Sequence, residues 1–142
     1  MRVKSIWLII ALIVSVSFKN REKGADSVYA MAIMQHMEKF PTETLYVWKC
    51  DDIELPSKLG QHKIINIENF DAVMKGRKSL SVLKLFPIEL NKGNFDVGII
   101  DYQVEKKSTG INLLNGGSEV FTFSYNADQD KYQIIDRKKF SM

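Results

Sequence analysis

Cysteine occurs once in these 142 residues, at Cys50. One thiol cannot form an internal disulfide, so even an exported chain must hold this fold by core packing. Charge of one sign is also in short supply: 20 Lys and Arg face 17 Asp and Glu. Long basic stripes are missing as well, and with them the electrostatic footprint that nucleic-acid binding requires. The longest apolar run, Ile6 to Phe18, covers 13 residues, whereas a spanning helix needs roughly 20. No internal repeat, low-complexity segment or Asn-x-Ser/Thr sequon is present, and no catalytic, metal or nucleotide motif stands out.

What is present first is a leader. Arg2 and Lys4 form a basic start, the apolar run follows, and Ser15 and Ser17 supply the small residues a signal peptidase reads. The pattern predicts a signal peptide over 1–17, an export route to the periplasm or the exterior, and contact with a membrane only through the N-terminal segment if it stays uncleaved. Cleavage removes two of the basic residues and none of the acidic ones, so the mature chain is close to neutral. Residues 18–24 read as a flexible lead-in and 25–142 as a single domain. A hydrophobic fraction of 45%, with 11% aromatic, is that of a folded globular chain.

Along that domain, Asp26 or Ser27 can cap a helix whose inward stripe is Tyr29, Ile33, Met37 and Phe40, widened by Ala30 and Met34 and ended by Pro41. Thr44 to Cys50 reads as a strand, 51–62 as a loop, and Lys63 to Ile67 as a short strand. Asn69 caps a short helix that stops at Gly76. Leu80 to Leu90 alternates like a half-buried strand, with Pro87 placing it at an edge or breaking it. Asn91 to Asn94 is a hairpin turn by composition. Phe95, Val97 and Ile99 share one face, while Ile100, Tyr102 and Val104 share the other, which predicts a bulge near Ile99. Residues 106–117 read as a long connection, Glu119 to Tyr125 as the cleanest strand, and Tyr132 to Ile135 as the last strand before a polar tail at 137–139.

A helix followed by a run of antiparallel strands predicts an α+β fold, with the helix packed on a curved antiparallel sheet of four to six strands. The order of elements and the bent strands resemble a cystatin-like or NTF2-like domain. The leader, the Gly116-Gly117 pair and the Phe121-x-Phe123-x-Tyr125 strand with its short hairpin are similar to small uncharacterised exported proteins of Bacteroidetes. These resemblances imply a fold and an export route and carry over no functional residues.

Several residues invite a chemical role. Cys50, Asp51, Asp52 and His62 are a loose group of metal-ligand types, but one thiol and one imidazole twelve apart do not meet zinc spacing; no metal or cofactor is assigned. Asp101 shares parity with Phe95, Val97 and Ile99. If alternation persists it points into the sheet's concavity, where burial would suit a general base and where Tyr29 or Tyr46 could join it in ligand binding. If the bulge near Ile99 turns it, Asp101 faces water with Gln103 and Glu105, and that reading is preferred. His36 lies at the margin of the helix stripe and reads as a flank residue. Met31, Met34 and Met37 read as core filling.

Three functions follow. The leading one is an exported, non-enzymatic binding domain for an unknown protein partner or small apolar ligand. The second is an NTF2-like enzyme with Asp101 as general base. The third is a periplasmic immunity protein against a toxin, with 51–60 and 106–117 as the loops to watch.

Overall fold

The computed structural model describes residues 28–38, 40, 42–49 and 53–141. The expected leader and lead-in, the expected caps Asp26 and Ser27, and Cys50, Asp51 and Asp52 lie outside the described residues. Residues 28–37 are helical (α1), with a turn at Glu38. Val28, Tyr29, Ala32, Ile33, His36 and Met37 are buried, spaced so that they form one stripe down the helix. The stripe is thus wider toward Ala32 and His36 than apolarity alone predicts. Helical geometry stops at Met37, one turn before the expected end, so Phe40 does not reach the core and is 51% exposed.

Among the described residues eight strands follow: β1 (Thr44–Trp48), β2 (Lys58–Leu59), β3 (His62–Asn66), β4 (Ser79–Leu85), β5 (Glu89–Asn91), β6 (Asn94–Lys107), β7 (Gly110–Asn126) and β8 (Lys131–Phe140). They form one sheet in the order β2-β3-β1-β4-β6-β7-β8, with β5 beside β6. A single-turn helix, α2 (Phe70–Val73), separates β3 from β4; Asn69 caps it by accepting a hydrogen bond from the Ala72 amide.

This architecture corrects the expected fold. The sheet is mixed and eight-stranded, because β1 pairs in parallel with both β3 and β4, so neither the four-to-six-stranded antiparallel sheet nor the cystatin-like or NTF2-like arrangement forms. Parallel neighbours need a crossover rather than a tight turn, and the stretches 49–61 and 67–78 provide two. The chain is also richer in strand than expected at 106–117. A turn of two residues at Ser108 and Thr109 replaces the long connection, and Ile111 to Asn115 pair with β6. At 80–90 Pro87 breaks the strand, as its missing N–H requires, leaving β4 and β5. Lys92 and Gly93, both at positive φ, make the hairpin turn into β6.

Side chains alternate across the sheet and build a core on each face. The face under α1 buries Leu45 and Val47 of β1, Leu83 and Leu85 of β4, Val97 and Ile99 of β6, and Phe121 and Phe123 of β7. Each such side chain contributes roughly 1.5–3 kcal/mol when fully buried. The opposite face holds a smaller core under α2, built from Ile67, Met74, Leu80, Val82 and Val104, with Trp48 and Tyr102 packed against it. Among the described residues no helix is long and apolar enough to cross a membrane.

Candidate functional site

Parity along two strands sets the site. On β6, Val97, Ile99 and Asp101 point to the helix face in succession; on β7, Phe123, Phe121 and Glu119 do the same, with Ile99 paired to Glu119. The rows begin apolar and end in carboxylates, under the C-terminal end of α1. There His36 enters between them. Its Nδ1 lies 2.6 Å from Glu119 Oε2 and its Nε2 lies 3.0 Å from Asp101 Oδ1.

A neutral imidazole can donate through only one nitrogen. Both nitrogens face carboxylate oxygens, so His36 is held as the imidazolium, donating to both. Burial pulls its pKa down, but the hydrogen bond and charge of Asp101, followed by those of Glu119, outweigh burial and raise it above the ordinary 6.5. His36 is 2% exposed and Glu119 5%.

Two cations complete the network from β8. Arg137 donates through Nε to Glu119 Oε1 and through Nη2 to Oε2, each at 3.0 Å, and Lys139 Nζ is 2.9 Å from Oε1. Burial would raise the Glu119 pKa, yet the hydrogen bonds from Arg137, Lys139 and His36 lower it to about 2. The bidentate guanidinium also lies over Phe121, its Cζ 5.2 Å from the ring centroid, which covers the ion pairs with an aromatic face.

Arg137 and Lys139 reach this face because of a bulge. Thr122 pairs with Asp136 but Phe123 pairs with Ile134, so Ile135 is an extra residue in β8. Before it, Tyr132 and Ile134 pack against the core; after it, the odd-numbered Arg137 and Lys139 take over that face. A second bulge lies between Asp101 and Tyr102, where Gly116 of β7 is the unpaired residue. The expected bulge is therefore in the partner strand, and β6 keeps its alternation. That is why Asp101 turns toward the helix, on the face it shares with Val97, Ile99 and Gln103.

Asp101, like the half-exposed Lys139, also meets open space. Its side chain is 37% exposed, and it lines a cleft of about 500 Å³ between the end of α1 and the sheet. Met37, Phe40, Leu45 and Leu83 form the apolar wall; Thr42, Thr44, Ser81 and Gln103 add neutral polar groups. Among the described residues, Asp101 is the only carboxylate or cation in the lining. Two of the hydroxyls there are directed at neutral acceptors: Ser81 donates to Gln103 Oε1 at 2.9 Å and Thr42 to the Thr44 carbonyl at 3.0 Å.

Of the sequence-predicted site residues, Asp101 faces the helix side, whereas the tyrosines stand elsewhere. Tyr29 is buried in the core, its hydroxyl donating to the Phe86 carbonyl at 3.0 Å. Tyr46 lies on the opposite sheet face, with Arg77 over its ring. His62 contacts the Thr42 carbonyl oxygen through Nδ1, and the other residues of its loose group are not described. Among the described residues no group of three or more His, Cys, Asp or Glu could hold a metal ion; in the network the imidazole separates the two carboxylates.

His36 as a buried ion, Glu119, Arg137 and Lys139 escaped sequence reasoning. Glu119 carried a usable signal, since it shares parity with Phe121 and Phe123. Arg137 and Lys139 carried none, because the bulge at Ile135 inverts their parity relative to Tyr132. Compared with known proteins, the chain matches no family, no curated protein and no solved structure.

Proposed function

We propose that the chain is an exported, non-enzymatic binding domain that takes a small, largely apolar ligand in the cleft beside Asp101. The observation that carries this reading is the composition of the cleft: an apolar wall, neutral hydroxyl and amide groups, and one ionised acceptor held in place from behind by His36. Small-ligand sites commonly combine those parts at this size. An ionised carboxylate accepts and does not donate, so the ligand presents an O–H or N–H group to Asp101 and an apolar body to Phe40 and Leu83. Export is supported by the leader pattern at 1–17.

The network also supports binding over catalysis. His36 is the side chain best suited to activate a nucleophile, but both its nitrogens are committed to carboxylates and it is buried away from the cleft. The hydroxyls of Ser81 and Thr42 donate to neutral acceptors, which does not activate them.

The position of Asp101 at the cleft favours one second reading, general-base catalysis by this carboxylate. The two separate by experiment. Benzyl alcohol serves as a probe with one donor and an apolar body. Titrated into the protein under nitrogen-15 NMR, it is expected to shift amides of Met37, Leu45, Leu83 and Gln103, and Leu83→Trp, which fills the cleft, is expected to abolish the shifts. Shifts confined to other regions would defeat the binding reading. Turnover of an ester, glycan or peptide substrate that is lost in Asp101→Asn would replace it with the catalytic one.

A further inference from the structure

The second half of the β6–β7 hairpin ends in an edge that nothing among the described residues covers. β8 pairs with β7 only from Ser118 onward, where Ser118 meets Phe140. Between Gly110 and Gly117 the inner edge of β7 is paired with β6 and the outer edge has no strand beside it. Asn115 Oδ1 accepts a hydrogen bond from the Gly117 amide at 2.8 Å, which closes the last backbone donor before β8 begins.

The chemistry of this edge differs from that of the other long edge. β8 carries Lys131, Lys138 and Lys139 and is interrupted by the bulge at Ile135, both devices that block edge pairing. The stretch from Gly110 to Gly117 has no charged residue and no proline, and it exposes Leu113 at 38% and Leu114 at 45%, one on each face of the sheet. Uncharged from Gly110 to Gly117 and regular from Gly110 to Asn115, with two exposed leucines, it has the properties of an edge that accepts a strand.

We infer that this edge pairs with the same edge of a second copy, in an antiparallel register centred on Leu113. Two features select that occupant and that register. The first is hydrogen bonding. The two-residue turn makes Lys107 and Gly110 a bonded pair, and bonded and non-bonded pairs alternate from there. Asn112 and Leu114 therefore direct their backbone groups to β6, while Ile111, Leu113 and Asn115 direct theirs outward. A twofold axis through Leu113 lets all three bond across the interface, Leu113 with its own counterpart and Ile111 with Asn115.

The second feature is side-chain fit and space. The axis sets Leu113 against Leu113 on one face and Leu114 against Asn112 on the other, with no charge opposed to a like charge. It also places the second copy's Ser118 opposite Ser108, so that copy's β8 starts just beyond the hairpin turn of the first. An isologous contact of this kind closes as a dimer. Its small area puts it at the weak end of specific interfaces, below about 1,200 Å², so assembly depends on concentration.

Sedimentation velocity on the full chain over a concentration series tests this. The expected result is a weight-average mass that rises from the monomer's 16.3 kDa toward twice that value. Leu113→Pro removes an outward N–H and leaves β6 pairing intact; it is expected to stay monomeric with an unchanged circular dichroism spectrum. Leu113→Lys, which opposes two like charges on the axis, is expected to do the same and serves if the proline variant fails to fold. A nitroxide at Leu113→Cys in a Cys50→Ser background is expected to show dipolar broadening that dilution removes. A monomer at every concentration, association unchanged in Leu113→Lys, or a dimer without broadening at position 113 would each overturn the inference.

Discussion

Glu119 accepts hydrogen bonds from three cationic side chains, and removing its charge leaves the buried His36 facing the partly exposed Arg137 and Lys139. Breaking one partner out of a buried pair costs about 3–5 kcal/mol, so Glu119→Gln is expected to lose stability on that scale in denaturant unfolding. The sign of the pH dependence follows from the two shifts. Glu119 has a folded pKa of about 2 against an ordinary 4.5, so its contribution is full above 4.5 and is lost as pH falls toward 2. His36 has a raised pKa, so its contribution is full below 6.5 and is lost as pH climbs through the folded value. The network therefore stabilises most between those limits. Urea midpoints measured across pH for wild type and His36→Gln should differ most below 6.5 and converge in alkali; a difference that grows with rising pH would contradict the linkage.

At the scale of elements, two inserted residues decide which side chains meet. Deleting Ile135 restores regular pairing in β8 and turns Arg137 and Lys139 to the opposite face, where neither can reach Glu119. The deletion is expected to destabilise about as much as Glu119→Gln, and the two changes together should cost far less than their sum, because they remove the same interactions. Strict additivity in that double-mutant cycle would show that the bulge does not aim Arg137 and Lys139. Gly117, at φ +125 with the Phe140 carbonyl 3.3 Å from where a Cβ would stand, is expected to lose roughly 1–3 kcal/mol on change to Ala, read as a lowered melting temperature.

The same elements show what was legible in advance. Alternation of Val97, Ile99 and Asp101 was visible, and read literally it gives the observed direction of Asp101. The apparent change of face at Ile99 and Ile100 was a strand with apolar residues on both faces, which is what a sheet with two cores demands. Gly116 and Gly117 read as a loop because a bulge is a mismatch between two strands and leaves no mark in one. The parallel pairing of β1 with β3 and β4 was hidden for a similar reason: each run shows that it is a strand, and none names its neighbour. His36 was misplaced because apolar periodicity scores a histidine as polar, although its partners allow it to be buried as an ion.

Across the whole molecule, β6 and β7 are the two longest strands and contribute to the cores on both faces, Val97 and Phe121 to one and Val104 and Ile111 to the other. Amides of Val97, Ile99, Phe121 and Phe123 are expected to be the slowest to exchange with solvent, and those of the two-residue edge strand β2 among the fastest. Helix α1 is fastened to these two strands by apolar packing and, at its C-terminal end, by His36, which also orients the carboxylate of the cleft. Everything proposed for binding depends on that arrangement of helix, histidine and Asp101. An NMR titration of the His36 ring in wild type and Asp101→Asn tests it most directly. The expected result is a wild-type pKa above 6.5 that falls in the variant; a pKa at or below 6.5, unchanged by the substitution, would show that Asp101 does not face His36 and that the cleft lacks its anchored acceptor.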